Sequence, residues 1–289
     1  MNRLALWISV LALAGCEPEQ PPIGQFVDCE GLTIDSEDRI IVSDEDGATI
    51  QVFSPDGELL ARWGEYGFEE GQFLGNLDGI TVGSDGRITV IDGRGHRLMQ
   101  FDREGKYLQT VGKQGTANGE FNDPEGIVQA ADGTVYVTDE DNRRIQVFDA
   151  DLKFLRAFPV PADPEAVAIH PKTGQIHVTF SKDDVIGIYD LEGKRVGSYG
   201  EDDLDTPDGI FITKEGTVYV SCSGDDRIRV FDEKGKLLRE IGSFGREPGH
   251  FDQPAGLAVD SKGRLIVADS DNRRVQILTT EGKVLSEIK

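Results

Sequence analysis

Positive charge is what this chain has least of relative to its opposite: 30 Lys and Arg stand against 53 Asp and Glu, a formal net charge of −23. Such a balance leaves no cationic excess to neutralise phosphates, so general affinity for nucleic acid is excluded, and broad docking on anionic lipid is disfavoured. Cysteine is scarce too, with three in 289 residues, so no disulfide framework holds the fold. The four histidines are not expected to converge on a metal: His96 falls in a b–c loop, His170 in an a–b turn, His177 in a second strand and His250 in an interblade segment. Long apolar runs are missing beyond the first fifteen residues. There Arg3 precedes an apolar stretch, Leu4 to Leu13, too short to span a membrane as a helix.

What is present is a repeat. Residues opening a short apolar run recur at Gly31, Gly79, Gly126, Ala166, Gly209 and Gly256, at spacings of 48, 47, 40, 43 and 47. In the clearest copy, Gly126 opens a run at Ile127. A turn at Ala131-Asp132-Gly133 leads to Val135–Thr138 and Asp139, then to Ile145–Phe148 and Phe154–Phe158. Each copy predicts four short strands, a to d, joined by Gly-bearing turns. One four-stranded sheet cannot bury both faces, so copies must stack. The chain is expected to be all-β: a six-bladed β-propeller of four-stranded antiparallel blades, closing without strand exchange between its ends. Gly24-Gln25-Phe26, Gly71-Gln72-Phe73, Gly119-Glu120-Phe121 and Gly249-His250-Phe251 precede four of the blades, with Phe expected to pack between neighbours. Gly-Xaa-Phe, Pro-Xaa-Gly-Ile, Val-Xaa-Asp and Asn-Arg-Arg-Ile-Gln-Val-Phe-Asp, best seen over 119–149 and 249–278, resemble the NHL-repeat family, which implies this same propeller.

Three segments follow: 1–15 as a signal peptide, 16–22 as a tether, and 23–289 as the propeller. Leu13-Ala14-Gly15-Cys16 resembles the bacterial lipobox, which implies cleavage before Cys16 and lipidation of it. Glu17 follows rather than the Asp that retains enteric lipoproteins at the inner membrane. A lipid-anchored, monomeric envelope protein is expected, in the outer membrane if the cell is Gram-negative. Glu17 to Pro22 reaches only about 20 Å.

Strand a is expected to line the central channel, so the residue before each opening position rings its mouth. These are Glu30, Asp78, Glu125, Glu165, Asp208 and Ala255: five carboxylates in six. Hard oxygen donors at a channel mouth suit Ca²⁺ or another divalent cation, with Glu30, Glu125, Glu165 and Asp208 as the candidate set. The alternative is an acidic, solvated mouth. Glu30 before Gly31 and Asp208 in Pro207-Asp208-Gly209 resemble metal ligands of gluconolactonase-type hydrolases, which implies a hydrolase. Glu125 and Glu165 depart from that pattern, where the family has Asn. Peptidyl-amidoglycolate lyases place His at this step, and this chain has none there. A second ring ends strand b: Asp44, Asp92, Asp139, Phe180, Cys222 and Asp269. The aspartates are expected to cap their own turns. Phe180 and Cys222 are expected to form an apolar ligand lip. Cys29 and Cys222 are expected to lie too far apart to pair. Arg94, Arg97, Arg143, Arg144, Arg227, Arg273 and Arg274 are expected to pair with nearby acids. The leading expectation is a non-catalytic scaffold for a protein, peptide or glycan partner. A metal-dependent hydrolase or lyase at the channel mouth is the alternative.

Overall fold

A computed structural model describes residues 26–289. The leader, Cys16 and the tether fall outside the described residues. Six separate four-stranded sheets occur, each in sequential order a-b-c-d, so no strand is exchanged at closure. The first strands are Cys29–Ile34, Ile80–Val82, Pro124–Gln129, Val167–Ile169, Pro207–Ile212 and Pro254–Val259. The second strands are Ile40–Asp44, Ile88–Asp92, Val135–Asp139, Ile176–Phe180, Val218–Cys222 and Arg264–Asp269. Third strands such as Arg144–Phe148, and fourth strands such as Phe154–Pro159, complete each blade.

The burial pattern follows position in the blade. In blades 1 to 5 every residue of strand b is buried, because it has a blade packed on either side. That explains its run of Ile and Val rather than alternation. Strand d is outermost and keeps one face in solvent. The expected phenylalanines fill the blade interfaces: Phe26, Phe73, Phe121 and Phe251 are all buried. Phe26 packs on Phe53 of blade 1 and joins a cluster with Ile277 and Ile288 of blade 6, which closes the ring. Blades 4 and 5 lack this phenylalanine, and Val160 and Leu204 take its place in the clusters there.

The inner strands carry the constraint that positions the site. In blade 1, Cys29 pairs with Asp44 and Leu32 with Val42, leaving Glu30 and Gly31 opposite Ser43 alone. This is a β-bulge, which re-aims the side chain it carries. The same shift occurs at Glu125-Gly126, Asp208-Gly209 and Ala255-Gly256. Glycine is required there by the neighbouring blade. A Cβ on Gly31 would lie 2.0 Å from the Asp78 carbonyl oxygen, and one on Gly126 would lie 2.6 Å from that of Glu165. A hydroxyl from strand b clips the joint. Gly31 N–H donates to Ser43 Oγ at 3.0 Å, and Ser43 donates to the Asp78 carbonyl at 3.2 Å. Thr138, Thr179 and Ser221 donate in the same way to the carbonyls of Glu165, Asp208 and Ala255, at 2.7, 3.1 and 2.6 Å.

Gly31→Ala is expected to cost roughly 2–3 kcal/mol, because backbone on both sides of the clash is fixed. Ala166→Gly, at the one blade that already carries a methyl there, should cost no more than about 1 kcal/mol. Chemical denaturation of both variants measures this; equal effects would show that the joint is not sterically tight.

Candidate functional site at the channel mouth

In blades 1, 3 and 5 the bulge carries the acidic residue that faces the channel, and in blades 2 and 4 the equivalent residue, just ahead of a regularly paired first strand, takes the same place. Glu30, Asp78, Glu125, Glu165 and Asp208 all line one cavity, above a neck of Leu32, Ile80, Ile127, Val167, Ile210 and Leu257. All five predicted carboxylates are therefore brought to one place. The free volume is about 100 Å³. That holds a few water molecules or a small cation, and is below the several hundred Å³ of a drug-sized ligand site. A larger ligand has to sit over the mouth and insert only a tip.

Electrostatics push every member of the ring the same way. Glu30 is held well above the usual carboxylate range by burial, then by Asp208 and Asp78. Asp78 and Glu125 are likewise held well up, by burial and then by neighbouring acids. Asp208 is pushed up to about 8 by burial and by Glu165 and Glu45. Glu165 is raised by burial, though a hydrogen bond from Ser181 at 2.8 Å opposes this. Like charges facing one small volume favour shared protons or a bound cation.

A second tier was not anticipated from the sequence. Residues just after strand b lean over the ring. Glu45 is raised to about 7 by burial and by Asp28. Ser181 and Ser270 donate to Glu165 and Glu30, the latter at 3.1 Å. Glu140 joins Asp123 and Glu125, whose carboxylate oxygens lie within 4.8 Å of one another. This is the one such group of three among the described residues. It shares only Glu125 with the predicted set; Glu30, Glu165 and Asp208 do not join it. Lys182 pairs with Glu140 at 3.0 Å and with Asp163 at 2.9 Å, so part of that charge is already matched.

Several expectations are corrected. Phe180 and Cys222 form no lip: they are 1% and 0% exposed. Phe180 packs with Val178 and Tyr189, and Cys222 with Val220 and Leu204. At this position a side chain points between blades, where an apolar group simply fills core. The aspartates of that ring do more than cap their own turns; they anchor the incoming interblade segment. Asp139 accepts from the Asn122 amide at 2.7 Å, from Arg144 Nε at 2.6 Å and from Gln146 Nε2 at 2.9 Å. Asp269 repeats this with Asp252, Arg274 and Gln276. Asp44 and Asp92 accept from the amides of Asp28 and Leu74. Arg97, Arg144 and Arg274 are thus paired with acids as expected, as buried or half-buried partners rather than surface pairs. Cys29 and Cys222 are both free thiols, and the Cys29 thiol donates to the Arg274 carbonyl. The histidines are not all apart. His170 and His177 lie together, ring centroids 5.9 Å apart, and His177 shares a 3.0 Å hydrogen bond with Tyr199. Both are buried away from the channel.

The family model of the NHL repeat matches residues 121–148 and 251–278. The protein is a six-bladed propeller carrying NHL repeats. Among solved structures it is similar to virginiamycin B lyase from Staphylococcus aureus, at 14% identity and TM-score 0.65, over 90% of this chain and 83% of that one. It is also similar to a streptogramin B lyase, at 15% identity and TM-score 0.67, over 93% and 85% of the two chains. At such identities the likeness concerns the fold. No curated protein matches the sequence.

The ring makes stability depend on pH. Its folded carboxylates bind protons more tightly than in the unfolded chain, so stability is lost as pH rises from about 4 to about 8. His177 acts oppositely: burial, then His170, lowers it from 6.5 to about 4, so its contribution is lost as pH falls through that window. Between about pH 6.5 and 8 only the carboxylates act. The melting temperature should therefore fall with rising pH there, and Asp208→Asn should flatten the slope. A slope unchanged by that variant would contradict the assignment.

Proposed function

We propose that this propeller is a non-catalytic binding scaffold of the cell envelope, anchored through lipid on Cys16, whose ligand offers a positive group to the channel mouth. One observation carries the reading: five raised carboxylates converge on a cavity of about 100 Å³. A Lys or Arg tip from a protein or peptide partner, or the free amine of a glycan, matches both the charge and the size. Entry of the cation would replace repulsion among the acids with pairing, and the aliphatic neck would meet the stem of the side chain.

A second reading has one observation of its own. The Asp123–Glu125–Glu140 group offers the oxygen donors that Ca²⁺ prefers, and a bound divalent ion could support hydrolase or lyase chemistry at the mouth. The lyase names of the structural neighbours agree with it at the level of fold. Against it, Lys182 already occupies the Glu140 side of the group.

Titration with a short lysine-rich peptide and its acetylated form tests the scaffold reading. Binding should require free amines and weaken at least about tenfold when Glu30, Glu125 and Asp208 are changed to Gln, Gln and Asn. Glu104→Gln with Glu192→Gln, on exposed turns of the opposite face, should leave it unchanged. Equal loss in both sets would reduce the effect to net charge and overturn the site. A stoichiometric divalent ion that survives Lys182→Met and is lost in Glu140→Gln would favour the second reading. The anchor is checked separately: an alkynyl fatty acid fed to cells should label the chain and fail to label Cys16→Ser.

A further inference from the structure

One sector of this acidic molecule gathers four cations, two of them already paired. Arg246, Arg273, Arg274 and Lys289 surround an open cavity at the rim of blade 6, with Asp271 as its one lining carboxylate. Arg274 is committed to Asp269 and Glu287, and Lys289 to Glu287. Arg246 and Arg273 stand exposed. Phe244, two residues before Arg246, is 69% exposed. Its loop is held firmly from below: Asn272 Nδ2 donates to the Gly245 carbonyl and Arg274 to those of Arg246 and His250, at 2.8–2.9 Å. An aromatic ring is thus held out in water beside cations, on a braced loop.

The place where the described chain begins adjoins this patch. Phe26 is buried between blades 6 and 1, Asp28 accepts a hydrogen bond from Ser270, and the Cys29 thiol donates to the Arg274 carbonyl. Cys16 lies ten residues earlier, a span of at most about 35 Å.

We infer that the blade 6 rim rests on the lipid surface, with Phe244 entering the headgroup region and Arg246 and Arg273 meeting lipid phosphates. An aromatic ring flanked by cations is the composition that settles at a bilayer interface. The inference rests on the proposed anchoring at Cys16.

The test is made so that the anchor and the docking fail separately. The full chain is attached to vesicles through a maleimide lipid at Cys16, since Cys29 and Cys222 are buried. The vesicles are phosphatidylethanolamine with a minority of phosphatidylglycerol, bearing brominated acyl chains. Phe244→Trp should gain fluorescence that the bromines quench, relative to the parent chain. Phe68→Trp is the control, because Phe68 is 90% exposed on the blade 1–2 connection beside Glu69 and Glu70. It should be quenched little. Adding Arg246→Glu and Arg273→Glu to Phe244→Trp should weaken docking roughly tenfold or more and bring quenching to the control level. Equal quenching at both sites, no quenching at Phe244→Trp, or indifference to the charge reversals would each overturn the inference.

Discussion

The molecule depends on how closely its inner strands approach one another. Each opening glycine lets the next blade's backbone come to a distance at which a methyl group would clash. In four blades a β-bulge accompanies that contact, and in four a Ser or Thr hydroxyl ties the two backbones together. Where the bulge occurs it carries the preceding side chain toward the channel, and the close approach of the inner strands sets the same position in the other blades. Ring closure and site formation are therefore one structural event, which is why the carboxylates sit where repulsion is greatest.

That repulsion is tolerated because other interactions hold the blades independently. Buried aspartates at the ends of four second strands fix the incoming interblade segments, and phenylalanines fill the seams. Close, satisfied charge pairs such as Asp269 with Arg274 are costly to break once one partner is buried. The frame can thus carry an acidic mouth, which on the proposed reading is a binding feature. Its small volume limits what enters, and its raised acids favour a cation over a neutral group.

Much of this was legible in the sequence. Spacing of the opening glycines and the turn residues between short apolar runs sufficed for six four-stranded blades. Aligning the copies also located the carboxylate ring, because a residue at a fixed step from a structural glycine must share its place in every blade. In the clearest copy the first apolar run marks Ile127, while the strand begins three residues earlier at Pro124, since a bulge interrupts the alternation that marks a strand. Phe180 and Cys222 do not reach the mouth because a second strand has a blade packed on both of its faces, so its last residue is core whichever side it points to. The proximity of His170 to His177 was hidden by the turn between them: His170 directly follows the first strand of blade 4 and His177 lies on the second, opposite Ala168. Glu45, Glu140, Ser181 and Ser270 were missed for want of a loop geometry, although each directly follows the end of a second strand.

The central claim is that the mouth is a set of proton-sharing acids awaiting a cation. Calorimetry of lysine-peptide binding at pH 7, repeated in buffers of different ionisation enthalpy, tests it most directly. Protons held by the ring should be released as the cation enters, with release reduced in Asp208→Asn. Binding without proton release, or release unaltered by that substitution, would contradict the account.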